Sequence, residues 1–343
     1  LMPAVTFSSF LLSTDILLVF FWILGMIQIL KIREAPNLLN FTLLGFALGM
    51  AFLAKYAAIY FVISLILLLI FEKKLSNIFF KNKIGFFLFV FTTLIILAPN
   101  IMWNYNHNWI TFEHTSNNAS LNRINFNLFG GLEFFISQVI MVGPVIVLAF
   151  FYYLKKNLKI DFITKFLIFF WAPSFFIVLA ESLLVRANAN WAAVALISLL
   201  ILMADVVYKA NKNILFINNY INLFLGLVFY VLIGFSSSLK VFDPIREIDN
   251  LVNLIETSTT NHKNNLVISD RMLFANLSYE FFETNKNIYS PYSPGNIVGH
   301  HFQLKKPLPD DFNTNFILIG YEEEIDYLLN KSAKNLISSK YFS

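Results

Sequence analysis

Apolar runs approaching the ~20 residues that a bilayer-spanning helix needs recur through the first two thirds of this chain. They make it a membrane protein before any motif is considered. Composition agrees, with 57% hydrophobic residues, 13% charged residues and 40 phenylalanines in 343 residues. A mean hydropathy of +0.66 lies well outside the soluble range. There is no cysteine, which excludes both a disulfide framework and a Cys-based metal site. The chain opens on Leu1, and residues 1–10 read like the tail of a hydrophobic helix. The expectation is an N-terminally truncated chain with earlier membrane helices missing.

Spans are expected at about 15–31, 38–54, 56–71, 84–102, 130–153, 162–184, 190–208 and 214–238. The loops between them sort by charge. One set carries Lys31, Arg33, Lys73, Lys74, Lys81, Lys83, Lys155, Lys156, Lys159, Lys209 and Lys212, with Lys165 just inside the next span. The alternate set holds Lys55, Arg123 and Arg186 alone. Twelve basic residues against three is a strong positive-inside signal. It places the basic loops in the cytoplasm and the alternate set outside.

Past about Lys240 the apolar runs stop and the net charge changes from +7 to −3. The segments 264–270 (NNLVISD) and 315–321 (NFILIGY) read as buried strands, each followed by a helix-like stretch, RMLFANLSYEFF and EEEIDYLLN. The organisation expected is a membrane region over 1–239 and a small α/β extracytoplasmic domain over 240–343. That domain reads as a structural cap at least as readily as a catalytic one.

Ionisable residues near spans locate the chemistry, because charge in a membrane is costly. Asp15, Lys55, Glu133, Glu181 and Arg186 all gather at the outward ends of their spans. Lys55 and Tyr56 form the bend between two spans. The same face carries a long polar loop, 103–126, WNYNHNWITFEHTSNNASLNRINF, with Trp103, His107, Trp109, Glu113, His114 and Arg123. Singly, Lys55, Arg123 and Arg186 suit a phosphate on a lipid carrier or equally lipid headgroups or a nearby acid, such as Glu181 for Arg186; as a set beside the polar loop they favour the phosphate site. Asp15 serves as a general base or as part of a helix cap with Ser13 and Thr14. Two histidines and one Glu make a weak metal signal, so a divalent metal at His107 stands beside no cofactor at all. Trp103 and Trp109 fit sugar stacking and interfacial anchoring alike. In RANANW (186–191), Asn188 and Asn190 bind hydroxyls or cap a helix.

These residues, in this order, resemble the bacterial glycosyltransferase family 39 group. Its relatives are the protein O-mannosyltransferases and lipid A aminoarabinose transferases with the GT-C membrane fold. The matching pieces are SSFLLSTDILLVFFW, LGFALGMAFLAKY, WNYNHNWITF, GGLEFFISQVIMVGP and RANANWAA, with VISDRMLFANLSYEFF at the start of the outer domain. The resemblance implies a mainly α polytopic membrane protein of GT-C type. It implies sugar transfer from a polyprenyl-phosphate donor to a lipid, glycan or protein acceptor on the periplasmic side of the bacterial inner membrane. It carries over Asp15 as the second acid of the site, Lys55 as a site lysine, His107 as the motif histidine, and Asn190 with Trp191 as the NW pair. Tyr56, Trp109, Glu113, His114, Arg123, Glu133 and Arg186 join them as substrate-binding candidates. The group's main catalytic carboxylate belongs to a first outer loop absent here, so the fragment alone is expected to be inactive. Ala192 stands where Pro is common, as does Thr14. The competing readings are a flippase of lipid-linked glycans and a non-catalytic envelope scaffold. No nucleic-acid partner is expected.

Overall fold

A computed structural model describes residues 2–8, 13–112, 115, 125–235, 248–259, 265–284, 286–292, 298–309 and 314–320. The chain divides into two units, Leu1–Val231 and Leu232–Ser343.

The first unit is a helical bundle. In chain order it contains α1 (Pro3–Ser8), α2 (Thr14–Glu34), α3 (Leu38–Ala54), a 3-10 turn (Tyr56–Ala58), α4 (Ile59–Phe71), α5 (Lys73–Lys81) and α6 (Lys83–Asn106). There follow α7 (Leu128–Val142), α8 (Pro144–Asn157), α9 (Phe162–Leu184), a 3-10 turn (Ala189–Ala192) and α10 (Ala193–Gly234). Among the described residues, four helices are long and apolar enough to cross a membrane, and six if each of two bent pairs counts as one span. The protein is a mainly α, multi-pass membrane protein.

Several expected spans differ in detail. The segment 130–153 is not one straight helix, since α7 and α8 meet at a 96° bend. Gly143 takes φ +117 there, and Pro144 starts the next helix with no N–H to place. The helix after Lys55 turns by 107° into α5, whose short amphipathic sequence KKLSNIFFK buries Leu75 and Phe79. α6 runs on to Asn106, so the first four residues of the expected loop are a final helical turn. The last two expected spans are joined through Asn211, whose φ −159 and ψ 98 break the helix while its side chain accepts from Asn213 N–H.

Packing is dominated by aromatic and small residues. Trp22, Phe61 and Phe170 bring α2, α4 and α9 together edge to face, at 5.1, 5.9 and 4.9 Å between ring centroids. α3 approaches α6 through Gly45, where a Cβ would stand 2.4 Å from the Phe89 carbonyl oxygen. At the end of the bundle opposite Asp15, Lys165 pairs with Glu72 at 2.7 Å and the Arg33 guanidinium lies 3.7 Å over the Phe162 ring. Asp161 caps α9 there by accepting from Thr164 N–H, which with that hydrogen bonding holds its carboxyl below the usual range.

The second unit holds α11 (Ile248–Thr259), β1 (Asn265–Ile268), α12 (Arg271–Glu280), β2 (Asn287–Tyr289), α13 (His301–Lys305) and β3 (Ile317–Ile319). The strands form a parallel sheet in the order β2-β1-β3, with Leu266 paired to Ile288 and Ile317. β1 is buried over Leu266, Val267 and Ile268, as a central parallel strand should be. Asp270 caps α12 through Met272 and Leu273 N–H. Two strands were expected; β2 is the third, too short and half-exposed to show alternation. EEEIDYLLN lies outside the described residues.

The bend at Gly143 yields a testable outcome. A side chain there faces strained φ and the Asn222 and Asn218 side chains, at 2.8 and 3.2 Å from the Cβ position. Gly143→Val should therefore lower thermal stability in detergent by roughly 2 kcal/mol or more. Gly234→Ala, with nothing within 4 Å, should not. Equal melting of the two variants would contradict a built bend.

Candidate functional site

Asp15 is the second residue of α2. Ser13 occupies the N-cap position but makes no side-chain cap bond, so the capping role considered for this segment is not seen. Both Asp15 oxygens go elsewhere. Oδ1 meets the Lys55 ammonium at 2.7 Å, and Oδ2 accepts from the Asn190 amide at 2.8 Å. The pair is partly shielded, with side chains 17% and 28% exposed for Asp15 and Lys55. Lys55 reaches it because α3 ends there: its backbone is extended at φ −163, and its carbonyl accepts from Ala58 N–H to start the 3-10 turn.

Tyr56 turns the other way. Its hydroxyl donates to Asn100 Oδ1 at 2.8 Å and accepts from Asn104 Nδ2 at 3.3 Å, and its ring stacks on Phe112 at 5.2 Å. Asn104 is fully buried and also donates to the Asn100 carbonyl. Asn100 and Asn104 were not singled out from sequence. Their signal was two amides four apart at one end of an apolar helix, which puts both on one face.

The end of α6 is tightly folded. His107 Nδ1 lies 2.7 Å from the Trp103 carbonyl and its ring stacks on Trp103 at 4.1 Å. The contact is a hydrogen bond in the tautomer with the proton on Nδ1, which leaves Nε2 as the acceptor. Asn108 and Trp109 follow with φ of 51 and 58. Two consecutive left-handed residues, one of them a tryptophan, store strain of about 1–3 kcal/mol each. Trp109 N–H bonds back to the Asn104 carbonyl at 2.8 Å, and its ring meets Phe112 edge-on at 5.5 Å. Glu113, His114 and Arg123 lie outside the described residues. Among the described residues no group of three potential metal ligands forms, so His107 gains no metal partners there.

Glu133 on α7 and Arg186 after α9 line one cavity together with Asn188. No ion pair joins Arg186 to Glu181 among the described residues, contrary to one reading of the sequence. Trp191 does not stand free: it packs beside Phe134, Phe175 and Val178 and anchors the turn that presents Asn190. Asp15, Lys55 and Asn190 thus form one hydrogen-bonded group, Tyr56 a second, and His107 with Trp109 a third.

Gln138 was missed by sequence reasoning. It is buried on α7, and its amide donates to the Ala189 carbonyl at 2.9 Å, fixing the turn one residue before Asn190. A lone buried Gln in an apolar helix was the available cue. Gln138→Leu should leave that carbonyl unpaired and cost about 1–3 kcal/mol in thermal unfolding. An unchanged melting temperature would show that the turn holds without it.

The family model described as dolichyl-phosphate-mannose-protein mannosyltransferase matches residues 1–103. Over 329 residues the chain is 25% identical to lipid A galacturonosyltransferase RgtD of Rhizobium johnstonii, covering 93% of this chain and 68% of that protein. No solved structure matches. The resemblance to membrane glycosyltransferases drawn from the motifs is therefore found again by whole-chain comparison, and it supports glycosyl transfer as the general chemistry.

Proposed function

We propose, from this likeness to membrane glycosyltransferases, that the chain takes part in moving a sugar from a polyprenyl-phosphate carrier to an acceptor on the periplasmic side of a bacterial inner membrane. The observation that carries the reading is the Asp15–Lys55–Asn190 group, a carboxylate held in place by a cation and an amide at one end of a helical bundle. Sidedness rests on charge: the twelve basic residues of the loops at the other end favour the cytoplasm for that end. The unit Leu232–Ser343 is then an extracytoplasmic domain.

The chemistry follows from the groups. A carboxylate accepts the proton of an acceptor hydroxyl, whose oxygen forms the new bond to the anomeric carbon. The bond from that carbon to the carrier phosphate breaks, and the polyprenyl phosphate leaves. Lys55 offers its ammonium to the leaving phosphate, which competes with Asp15 for it and frees the carboxylate for the acceptor. The Asn190 amide keeps Asp15 oriented during that exchange. In this reading Tyr56, His107, Trp109, Glu113, His114 and Arg123 are the residues assigned to the sugar. A divalent metal is compatible with the His107 Nε2 acceptor. A flippase has less support, because its functional charges belong near the membrane midplane.

The test is transfer in membranes from cells expressing the gene's full product, with polyprenyl-phosphate galacturonic acid and mannose as labelled donors and lipid A as acceptor. Asp15→Asn and Lys55→Met should each slow transfer by about 100-fold or more, the scale of losing one transition-state contact. Asp205→Asn, in an exposed pair with Lys209, should leave it unchanged. Retention of full rate by a correctly folded Asp15→Asn protein would end the assignment.

A further inference from the structure

The turn that delivers Asn190 to Asp15 has a second face. Behind it, between the ends of α7 and α9, lies a cavity of about 540 Å³. Asn127, Glu133 and Ser137 line it from the α7 side, Ser182 from α9, and Arg186 and Asn188 from the turn. The volume falls in the ~300–1,000 Å³ range of small-molecule sites. We propose that this cavity binds an anionic sugar, a hexose bearing a phosphate or carboxylate, as the acceptor's binding subsite. The acceptor role rests on the transferase reading; the binding itself does not.

Charge disposition carries the proposal. Arg186 and Glu133 line the same cavity with opposite charge, yet among the described residues neither pairs with the other or with any third group. Such charges at a membrane boundary ordinarily close on each other. Left open, they make a two-ended site. The guanidinium fork suits a phosphate or carboxylate, and the Glu133 carboxylate accepts sugar hydroxyls. In the same lining, the Ser137 hydroxyl donates to the Glu133 carbonyl at 2.7 Å and keeps its own oxygen as an acceptor. The Asn188 amide makes no side-chain cap bond to its own turn, and the Phe134 side chain supplies an apolar wall. Ala189 lines the cavity, its carbonyl is fixed by Gln138, and the next residue holds Asp15. A sugar seated here therefore lies against Ala189, one residue along the chain from the Asn190 that holds the acid.

The experiment uses the full chain in phosphatidylcholine nanodiscs, with binding read by saturation-transfer NMR. The probes are glucose 1-phosphate, glucose and glycerol 1-phosphate. Glucose 1-phosphate should bind about tenfold more tightly than either of the others. Arg186→Gln should weaken it about tenfold, the cost of one charged hydrogen-bonding partner. Ser137→Phe, which fills the cavity from α7 and leaves the Arg186 charge in place, should abolish it. Equal binding of glycerol 1-phosphate would make this a lipid-headgroup site and overturn the sugar assignment. Loss of binding with Lys55→Gln, with Arg186→Gln unaffected, would move the ligand to the Asp15 group and overturn it as well. Absence of binding to the wild-type chain would do the same, while leaving the transfer assay above to stand or fall separately.

Discussion

Asp15 is the point on which this end of the bundle converges. Its two oxygens tie the first turn of one helix to the end of the next and to a turn far along the chain, with sequence separations of 40 and 175 residues. A carboxylate placed there without partners would carry a large desolvation cost, and each partner alone would leave half of it exposed. The ion pair and the amide bond together make the placement tolerable. Loss of Asp15 or Lys55 leaves the other charge without its counter-ion, and loss of Asn190 leaves Asp15 Oδ2 without its donor.

Around that group, the bundle is shaped by the places where its helices stop. α3 stops at Lys55, α7 at Gly143, and the first half of α10 at Asn211. A side chain or backbone turn takes up the freed polar groups at each: the Lys55 carbonyl by Ala58, the first turn of α8 by Asn218, the Asn213 N–H by Asn211. Non-helical backbone within a membrane protein survives where protein satisfies it. The breaks permit side chains from short connections, Lys55 and Asn190 above all, to reach inward while the spans on either side remain regular.

Much of this was legible in the sequence, for reasons particular to each element. Apolar runs located most helices because hydrocarbon demands them. The cost of charge singled out Asp15, Lys55, Glu133 and Arg186, and the structure brings the first two into contact and sets the last two around one cavity. What escaped was relational. Asn100, Asn104 and Gln138 looked like minor polar interruptions, since nothing local says that one amide meets Tyr56 and another a carbonyl 51 residues away. The sharp bend inside 130–153 was likewise hidden, although Gly143 and Pro144 stood side by side, because the apolar pattern runs through them without change. The strand β2, three residues long, has too little sequence to carry a period.

The Gly143 bend has a consequence for how the chain is made. Its second helix begins with N–H groups that no earlier turn can accept, and the one on Ile146 is met by Asn218, which leaves the ribosome 72 residues later. Until then the α7–α8 pair lacks a partner that this fold requires inside the bilayer. The bend is therefore not sealed span by span: a chain interrupted before residue 218 lacks the acceptor that Ile146 N–H has in this fold.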